Sequence, residues 1–257
     1  MKDLLKKINK VKNMKVIAVI PSRYLSSRFP GKPLVDIFGH PMIWWVYQRV
    51  LKVKNVDEIV VATDDNRIVD VCRKYGMNVM LTSNQHNTPT SRLYEVSTRM
   101  EGDQFVFVGG DEPMINPESI EKVVDVARKE NTFAVNAMTR IKTAPEVIDF
   151  TNIKVVVNTD NMLLYTSRSP LPFPKGGLDF EYMKFVGIGV FSREALAFYN
   201  DTPKTKIETI EECDLLRFTE RLKPVKMVYV ESNNISIDTP KDLEQAKIIM
   251  KEQLNIQ

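Results

Sequence analysis

Apolar residues in the first half of the chain fall into short continuous runs, separated by stretches with helical spacing. Continuous runs are typical of parallel strands buried on both faces, whereas a three- and four-residue spacing marks the apolar face of a helix. The runs occupy residues 15–20, 58–62, 79–81 and 105–108, and the helical stretches occupy residues 41–53, 64–73, 90–100 and 117–130. We expect Asp64 to cap the second helix and Gly76 to end it. The alternation predicts a parallel sheet covered by helices on both faces.

The second half of the chain is richer in strands, and residues 158–161 carry a hairpin signal. Strands are predicted at residues 133–140, 154–157, 162–166, 185–191 and 225–230, and helices at residues 208–221 and 239–254. Asp238 or Thr239 is placed to cap the last helix. No internal repeat or low-complexity segment is visible. We therefore expect a single domain over residues 14–257, preceded by a basic extension at residues 1–13.

Composition narrows the function classes. Hydrophobic residues make up 43% of the 257 positions and charged residues 27%, which is typical of a globular protein. The net charge of +3 is too small to indicate nucleic-acid or membrane binding. Cys72 and Cys213 form no CxxC motif, and the N-terminus has no apolar signal-peptide core, so we expect a cytoplasmic protein.

The segment after the first predicted strand is the first candidate for ligand binding, because open parallel sheets bind ligands beyond the carboxyl ends of their strands. This segment, PSRYLSSRFPGKPL at residues 21–34, carries Arg23, Arg28 and Lys32, with serines, a glycine and no carboxylate. Fixed cations and N–H donors suit a polyphosphate. The segment is neither a P-loop nor a GxGxxG motif, which argues against a P-loop NTPase and a dinucleotide oxidoreductase. The alternative is a surface loop with scattered basic residues.

Two aspartates are candidates for metal binding. Asp111 follows two glycines directly after the fourth predicted strand, where a carboxylate suits Mg²⁺ and its substrate phosphates. The alternative is a turn aspartate that caps the next helix. Asp238 follows the last predicted strand, and it is either a second metal ligand or the cap of the terminal helix.

Five segments, in this order, resemble the 3-deoxy-manno-octulosonate (KDO) cytidylyltransferases, the CMP-KDO synthetases. They are PSRYLSSRFPGKPL at residues 21–34, GHPMI at 39–43, VATDD at 61–65, GGDEP at 109–113 and IDTPKDL at 237–243. The resemblance implies a nucleotide-diphospho-sugar transferase α/β fold, Rossmann-like, with a mainly parallel mixed sheet flanked by helices. It further implies a nucleotide-binding half at residues 14–132 and a smaller β-rich half at residues 133–257 that binds the acceptor and forms a homodimer.

The resemblance also implies an activity, which is magnesium-dependent transfer of CMP from CTP to KDO for surface polysaccharide synthesis. Arg23 and Lys32 inherit contacts with the triphosphate, supported by Ser26 and Arg28, and Asp111 and Asp238 match the magnesium ligands. The other positions that match nucleotide or substrate contacts are Pro21, Ser22, Ala62, Thr63, Asp64, Arg92 and Gly110.

The acceptor positions depart from the family pattern. Residues 88–92 read TPTSR where the family has Ser-Gly-Thr-(Glu/Asp)-Arg, Gly109 replaces a glutamine, and FVGIG at 185–189 replaces His-Leu-Gly-Ile-Tyr. Asp214 and Leu215 replace a Glu-Gln pair. Each lost buried hydrogen bond costs about 1–3 kcal/mol. We therefore expect the CTP half to be retained and the acceptor half to be altered.

Several alternatives remain open at the acceptor site. KDO is the first expectation, and another 2-ulosonic acid or a smaller carboxylate or phosphate compound is the alternative. A non-catalytic nucleotide-binding relative is the alternative from a different class. His86, Arg168 and Lys184 are further candidates for acceptor contacts, and for Arg168 and Lys184 the favoured interpretation is a solvated charge.

Overall fold

The computed structural model describes residues 14–25, 28–130, 132–177, 179–232 and 235–254. The extension expected at residues 1–13 and the candidate residue Ser26 lie outside the described residues. The strands are β1 (Val16–Ser22), β2 (Asp36–Ile37), β3 (His40–Pro41), β4 (Glu58–Thr63), β5 (Val79–Leu81), β6 (Gln104–Val108), β7 (Ala134–Arg140), β8 (Lys154–Val157), β9 (Leu163–Ser167), β10 (Met183–Ser192) and β11 (Val225–Tyr229).

One nine-stranded sheet runs through the described part of the chain, in the order β11-β7-β10-β6-β1-β4-β5, with β8 and β9 attached beside β10. Strand β1 pairs in parallel with β4 and β6, and β4 pairs in parallel with β5. Strand β10 is antiparallel to both β6 and β7, whereas β11 is parallel to β7. The predicted mainly parallel mixed sheet is confirmed.

Strand β1 lies in the interior of the sheet, between β6 and β4, and each of its faces is apolar. Val16, Ala18 and Ile20 pack in one core cluster, and Ile17 and Val19 pack in the other. All five side chains are fully buried. Successive residues of a strand point to opposite faces, so a continuous apolar run provides contacts for helices on both sides.

Helices cover both faces of the sheet. They are α1 (Met42–Val50), α2 (Asn66–Lys74), α3 (Pro89–Arg99), α4 (Pro117–Glu130), α5 (Ala144–Ile148), α6 (Arg193–Asp201), α7 (Lys206–Glu211), α8 (Leu216–Thr219) and α9 (Pro240–Leu254). Helices α1, α2 and α4 pack on the face of Val16, and α3, α6 and α8 pack on the opposite face. Among the described residues, no helix combines the length and apolar character that crossing a bilayer requires.

Two local predictions were wrong. Asp65 caps α2 by accepting from the backbone N–H of Arg67 at 2.9 Å, whereas Asp64 binds another side chain. The single helix predicted over residues 208–221 is broken at Glu212, whose φ is 50°. After the break, Leu215 is buried and Asp214 is half-buried. Helices α5 and α6 were not predicted.

Candidate active site

A cavity of about 270 Å³ lies beyond the carboxyl ends of β1 and β6, where an open sheet binds ligands. The candidate residues that line it are Pro21, Ser22, Arg23, Arg28, Lys32, Arg92, Gly110, Asp111 and Asp238. Ala62, Thr63 and Asp64 do not line it, although the register of β1 and β4 places Thr63 beside Ser22. The segment at residues 21–34, with Arg23, Arg28 and Lys32, is called the basic loop below. The structure brings this loop and both aspartates into one site.

The basic loop is closed by a hydrogen bond from Gly31. Its backbone N–H donates to the carbonyl of Tyr24 at 2.8 Å, and its φ is 74°. Glycine adopts this left-handed conformation without the steric cost that a side chain would add. A short 3₁₀ turn over Lys32–Leu34 follows and directs the lysine into the cavity.

The ammonium of Lys32 joins the two aspartates. Its Nζ lies 2.9 Å from Oδ2 of Asp111 and 3.1 Å from Oδ1 of Asp238. Arg28 contacts the same oxygen of Asp238 at 3.0 Å. Burial opposes the charge on Lys32, but Asp111 and Asp238 outweigh that effect, and the pKa of Lys32 is raised above its ordinary value.

The side chain of Asp238 faces this site and does not cap the terminal helix. Thr239 caps α9, because its Oγ1 accepts from the N–H of Asp242 at 3.3 Å. Asp242 reciprocates by accepting from the N–H of Thr239 at 2.8 Å and from that of Asp238 at 3.1 Å. The carboxylate of Asp238 is thereby left to Lys32 and Arg28.

The two aspartates fit a divalent cation. Two carboxylates that both reach one ammonium nitrogen already share a cationic centre, and Mg²⁺ is usually held by one or two carboxylates plus substrate phosphates and water. Within the described residues, no cluster of three or more His, Cys, Asp or Glu side chains is arranged to hold a metal. A magnesium ion here would therefore depend on the substrate for the rest of its ligands.

Arg92 is buried and holds the neighbouring segment together. Its guanidinium donates to Oδ2 of Asp64 at 3.0 Å and to Oγ1 of Thr82. The pair joins the residue that follows β4 to helix α3. Arg92 thus lines the cavity while being neutralised by Asp64.

His86 contributes a contact that sequence reasoning missed. Its Nε2 lies 2.6 Å from Oε2 of Glu95, and its Nδ1 lies 3.2 Å from Oγ of Ser91. The Ser91 hydroxyl donates to the carbonyl of Thr88 at 2.9 Å, so its hydrogen is not directed at the imidazole. The arrangement orders the cavity wall and does not activate a serine nucleophile. The spacing of the three residues around the start of α3 was the available signal.

A larger cavity of about 890 Å³ adjoins the first and shares Arg23, Arg28, Asp111 and Asp238 with it. Lys184 and Arg168 line its far wall. Nζ of Lys184 lies 3.0 Å from Oε2 of Glu146 and 3.2 Å from Oδ1 of Asn152. Arg168 donates to the carbonyl of Glu211 at 2.8 Å and to that of Phe150 at 3.1 Å. Two of the three candidates for acceptor contacts therefore line the same cavity as Asp111 and Asp238, whereas His86 lines the smaller cavity.

Asp214 and Leu215 do not line the larger cavity. Asp214 accepts from Oγ1 of Thr90 at 2.6 Å, and Leu215 packs in the core. Burial raises the pKa of Asp214, and the hydrogen bonds from Thr90 oppose the rise. At this position a carboxylate orders the first turn of α3 from within.

Glu112 fixes the back of the site. Its Oε1 accepts from the N–H of Gly187 at 3.1 Å, and the N–H of Gly109 donates to the carbonyl of Gly187 at 2.8 Å. A Cβ on Gly187 would lie 2.3 Å from Oε1 of Glu112, so only glycine allows this contact. Strand β10, which lines the larger cavity, is thereby fastened to the segment that carries Asp111.

Comparison with known proteins shows the family to which the chain belongs. The model of the cytidylyltransferase family matches residues 17–256. A 3-deoxy-manno-octulosonate cytidylyltransferase from Escherichia coli is 38% identical over 93% of this chain and 98% of its own length. The enzyme of that name from Geotalea daltonii is 38% identical over 90% of this chain and 96% of its own.

Solved structures of cytidylyltransferases are similar to this chain as well. A CMP:2-keto-3-deoxy-manno-octonic acid synthetase complexed with CTP superposes with a TM-score of 0.89 at 37% identity, covering 93% of this chain and 99% of that one. A Leptospira borgpetersenii cytidylyltransferase, at 17% identity and a TM-score of 0.64, shares the fold. On the match to the family model and the similarity to these relatives, the chain belongs to the cytidylyltransferase family, among the 3-deoxy-manno-octulosonate cytidylyltransferases.

Proposed function

We propose that this chain transfers CMP from CTP to 3-deoxy-manno-octulosonate and releases pyrophosphate. The observation that carries the proposal is the convergence of Lys32, Asp111 and Asp238 beside Arg23 and Arg28, at the carboxyl edge of the sheet. The E. coli and Geotalea relatives bear the name of this activity and align over nearly the whole chain. The superposed relative that is complexed with CTP supports the choice of nucleotide.

The cations of the loop suit the triphosphate. Arg23 lines both cavities and forms no ion pair within the described residues, so its charge is available to phosphate oxygens. Arg28 and Lys32 are bound to carboxylates and exchange these partners for phosphates when the nucleotide enters. Such charge-assisted contacts stabilise the negative charge that builds on the leaving pyrophosphate.

The reaction is an in-line displacement. A hydroxyl oxygen of the acceptor attacks the α-phosphorus and releases its proton to solvent, the bond from that phosphorus to the bridging oxygen breaks, and pyrophosphate leaves opposite the attacking oxygen. The protein contributes position and charge, without a covalent intermediate. The larger cavity adjoins the aspartates, so an acceptor held there is next to the α-phosphate.

We propose Mg²⁺ as the metal ion, held by Asp111 and Asp238. When bound, it neutralises phosphate charge and lowers the pKa of an attacking hydroxyl. The fit is supported by the ammonium that both carboxylates already share.

Two cationic side chains, Lys184 and Arg168, line the larger cavity. They support the proposal that the acceptor is an acidic sugar. The test is pyrophosphate release from CTP with KDO, other 2-ulosonic acids, and small carboxylates or phosphates. Turnover with KDO at micromolar concentrations supports the proposal. Turnover only with another acid would replace the acceptor, and CTP binding without turnover on any acid would indicate a non-catalytic relative.

We further propose a cytoplasmic homodimer. Large apolar side chains of the second half are exposed, and they include Ile148, Leu164, Phe173 and Phe180. Exposed apolar side chains are typical of an interaction site where they form one patch.

A further inference from the structure

The basic loop is held from outside the cavity by the stacked side chains of Tyr24 and Arg67. The guanidinium of Arg67, on the first turn of α2, lies 3.3 Å from the centroid of the Tyr24 ring. The same guanidinium binds both carboxylate oxygens of Asp65, with Nε to Oδ1 at 2.9 Å and Nη2 to Oδ2 at 2.6 Å. Two parallel hydrogen bonds fix the plane of the guanidinium, so its face is presented to the ring.

Tyr24 also lies at the base of the loop. Its carbonyl accepts from the N–H of Gly31 at 2.8 Å, and a Cβ on Gly31 would lie 3.2 Å from the ring. The two ends of the loop therefore meet at this residue. Arg23 directly precedes Tyr24, and Lys32 directly follows Gly31, so the position of the ring sets the start of both cationic side chains.

We propose that Arg67 is a positioning residue for CTP. Through Tyr24 it fixes Arg23 and Lys32 relative to the segment of β4 that ends at Thr63, and so sets the distance between the triphosphate site and the nucleoside side of the cavity. Arg67 lines neither cavity, and its side chain is 58% exposed, so it acts through Tyr24 and not by contact with the nucleotide. The inference rests on the proposed function of the loop.

The test compares Arg67→Ala and Arg67→Lys with Arg73→Ala, which removes the same charge from the exposed last turn of the same helix. An exposed cation–π contact corresponds to an effect of about fivefold on binding. We expect Arg67→Ala to raise the Kd and the KM for CTP by about fivefold, with kcat and the melting temperature close to those of the parent. Lysine keeps the charge but loses the planar fork, so Arg67→Lys should resemble Arg67→Ala.

A second readout needs no nucleotide. Trypsin cleaves after Arg23 and Arg28, and we expect faster cleavage at both bonds in Arg67→Ala than in Arg73→Ala. Equal Kd values and cleavage rates for these two variants would overturn the proposal. Full recovery of CTP affinity by Arg67→Lys would also overturn it, because long-range attraction would then account for the effect. Absence of CTP binding by the parent protein would instead refute the proposed function, and the cleavage rates would still judge the stack.

Discussion

Two aspartates that are close together in the sequence have different roles at this site. Asp238 and Asp242 are four residues apart, yet one carboxylate faces the cavity and the other orders the start of α9. Lys32 lies between Asp111 and Asp238 and keeps two acids close together without repulsion. Only the three-dimensional positions separate these roles, since both aspartates sit in one short segment.

The aspartates permit a matched comparison. We expect Asp111→Asn and Asp238→Asn each to lower kcat on the order of 10²-fold or more, because both remove negative charge that the metal ion requires. We expect Asp242→Asn to keep kcat and to lower the unfolding free energy by about 1 kcal/mol, because it weakens a helix cap. Pyrophosphate release and urea unfolding measure the two effects. Full turnover in Asp238→Asn would refute its assignment as a metal ligand.

Asp214 gives a pH-dependent prediction. Its pKa is raised in the folded protein, because burial outweighs the hydrogen bonds from Thr90. A raised carboxyl pKa means that the ionised form favours unfolding. The penalty is absent below the ordinary value of 3.8, and it is complete once the pH exceeds the folded pKa. Asn keeps the acceptor and removes the charge. We therefore expect Asp214→Asn to melt above the parent at about pH 7, with the difference closing towards about pH 4.

The control for this prediction is Asp201→Asn, at the exposed end of α6. It should leave the difference between pH values unchanged, because its carboxyl is not buried. A lower melting temperature of Asp214→Asn at neutral pH would show that the charged form is the stabilising one.

At the level of elements, the short helices α7 and α8 depend on a buried ion pair. Arg217 on α8 binds both carboxylate oxygens of Glu208 on α7, at 2.8 and 2.7 Å, and lies 3.7 Å from the ring centroid of Tyr199 on α6. Glu208 is 1% exposed. Tyr199 in turn lies 3.2 Å from Oγ1 of Thr88, which caps α3 beside the cavity. The pair therefore supports a wall of the active site.

Removing one partner should be more costly than removing both. Arg217→Met leaves the Glu208 carboxylate buried and unpaired, which typically costs about 3–5 kcal/mol of unfolding free energy. The double variant Arg217→Met/Glu208→Gln should recover part of that loss. Urea denaturation of the two variants, with Lys204→Met at an exposed position as a control, measures the difference. Equal stability of the single and double variants would contradict this account.

The sequence predicted regular elements better than breaks. The continuous apolar runs located β1, β4, β5 and β6, because a strand buried on both faces has a simple pattern. The pattern over residues 208–221 indicated one helix, since nothing in it marks the left-handed turn at Glu212. The turn is favoured by the burial of Leu215, a tertiary effect that local periodicity does not contain.

Across the whole molecule, the antiparallel strand β10 joins the two halves. It lies between β6, which leads to Asp111, and β7 of the second half. Sequence patterns predicted β10 as a strand but gave neither its direction nor its neighbours, because those depend on pairings across many residues. The basic loop and both aspartates were found from their residue types, whereas the Lys32 contact and the His86 contacts required the fold.

The exposed apolar residues give a prediction for assembly. We expect the chain, with a mass of 29.5 kDa, to elute as a dimer in size-exclusion chromatography with light scattering. Leu164→Asp/Phe173→Asp should shift it towards the monomer, because charge on an apolar interface is costly. Leu51→Asp in the first half of the chain, where Leu51 is 52% exposed, is the control and should leave the mass unchanged. A monomeric parent would refute the proposed dimer.

The ammonium of Lys32 has a consequence for the order of binding. A divalent ion that arrives alone must displace this ammonium from both carboxylates, whereas phosphates that arrive with the ion give Lys32 and Arg28 new partners. Nucleotide and ion should therefore bind cooperatively, and the coupling must be reciprocal. Calorimetric titration of CTP with and without Mg²⁺, and of Mg²⁺ with and without CTP, should return the same coupling factor.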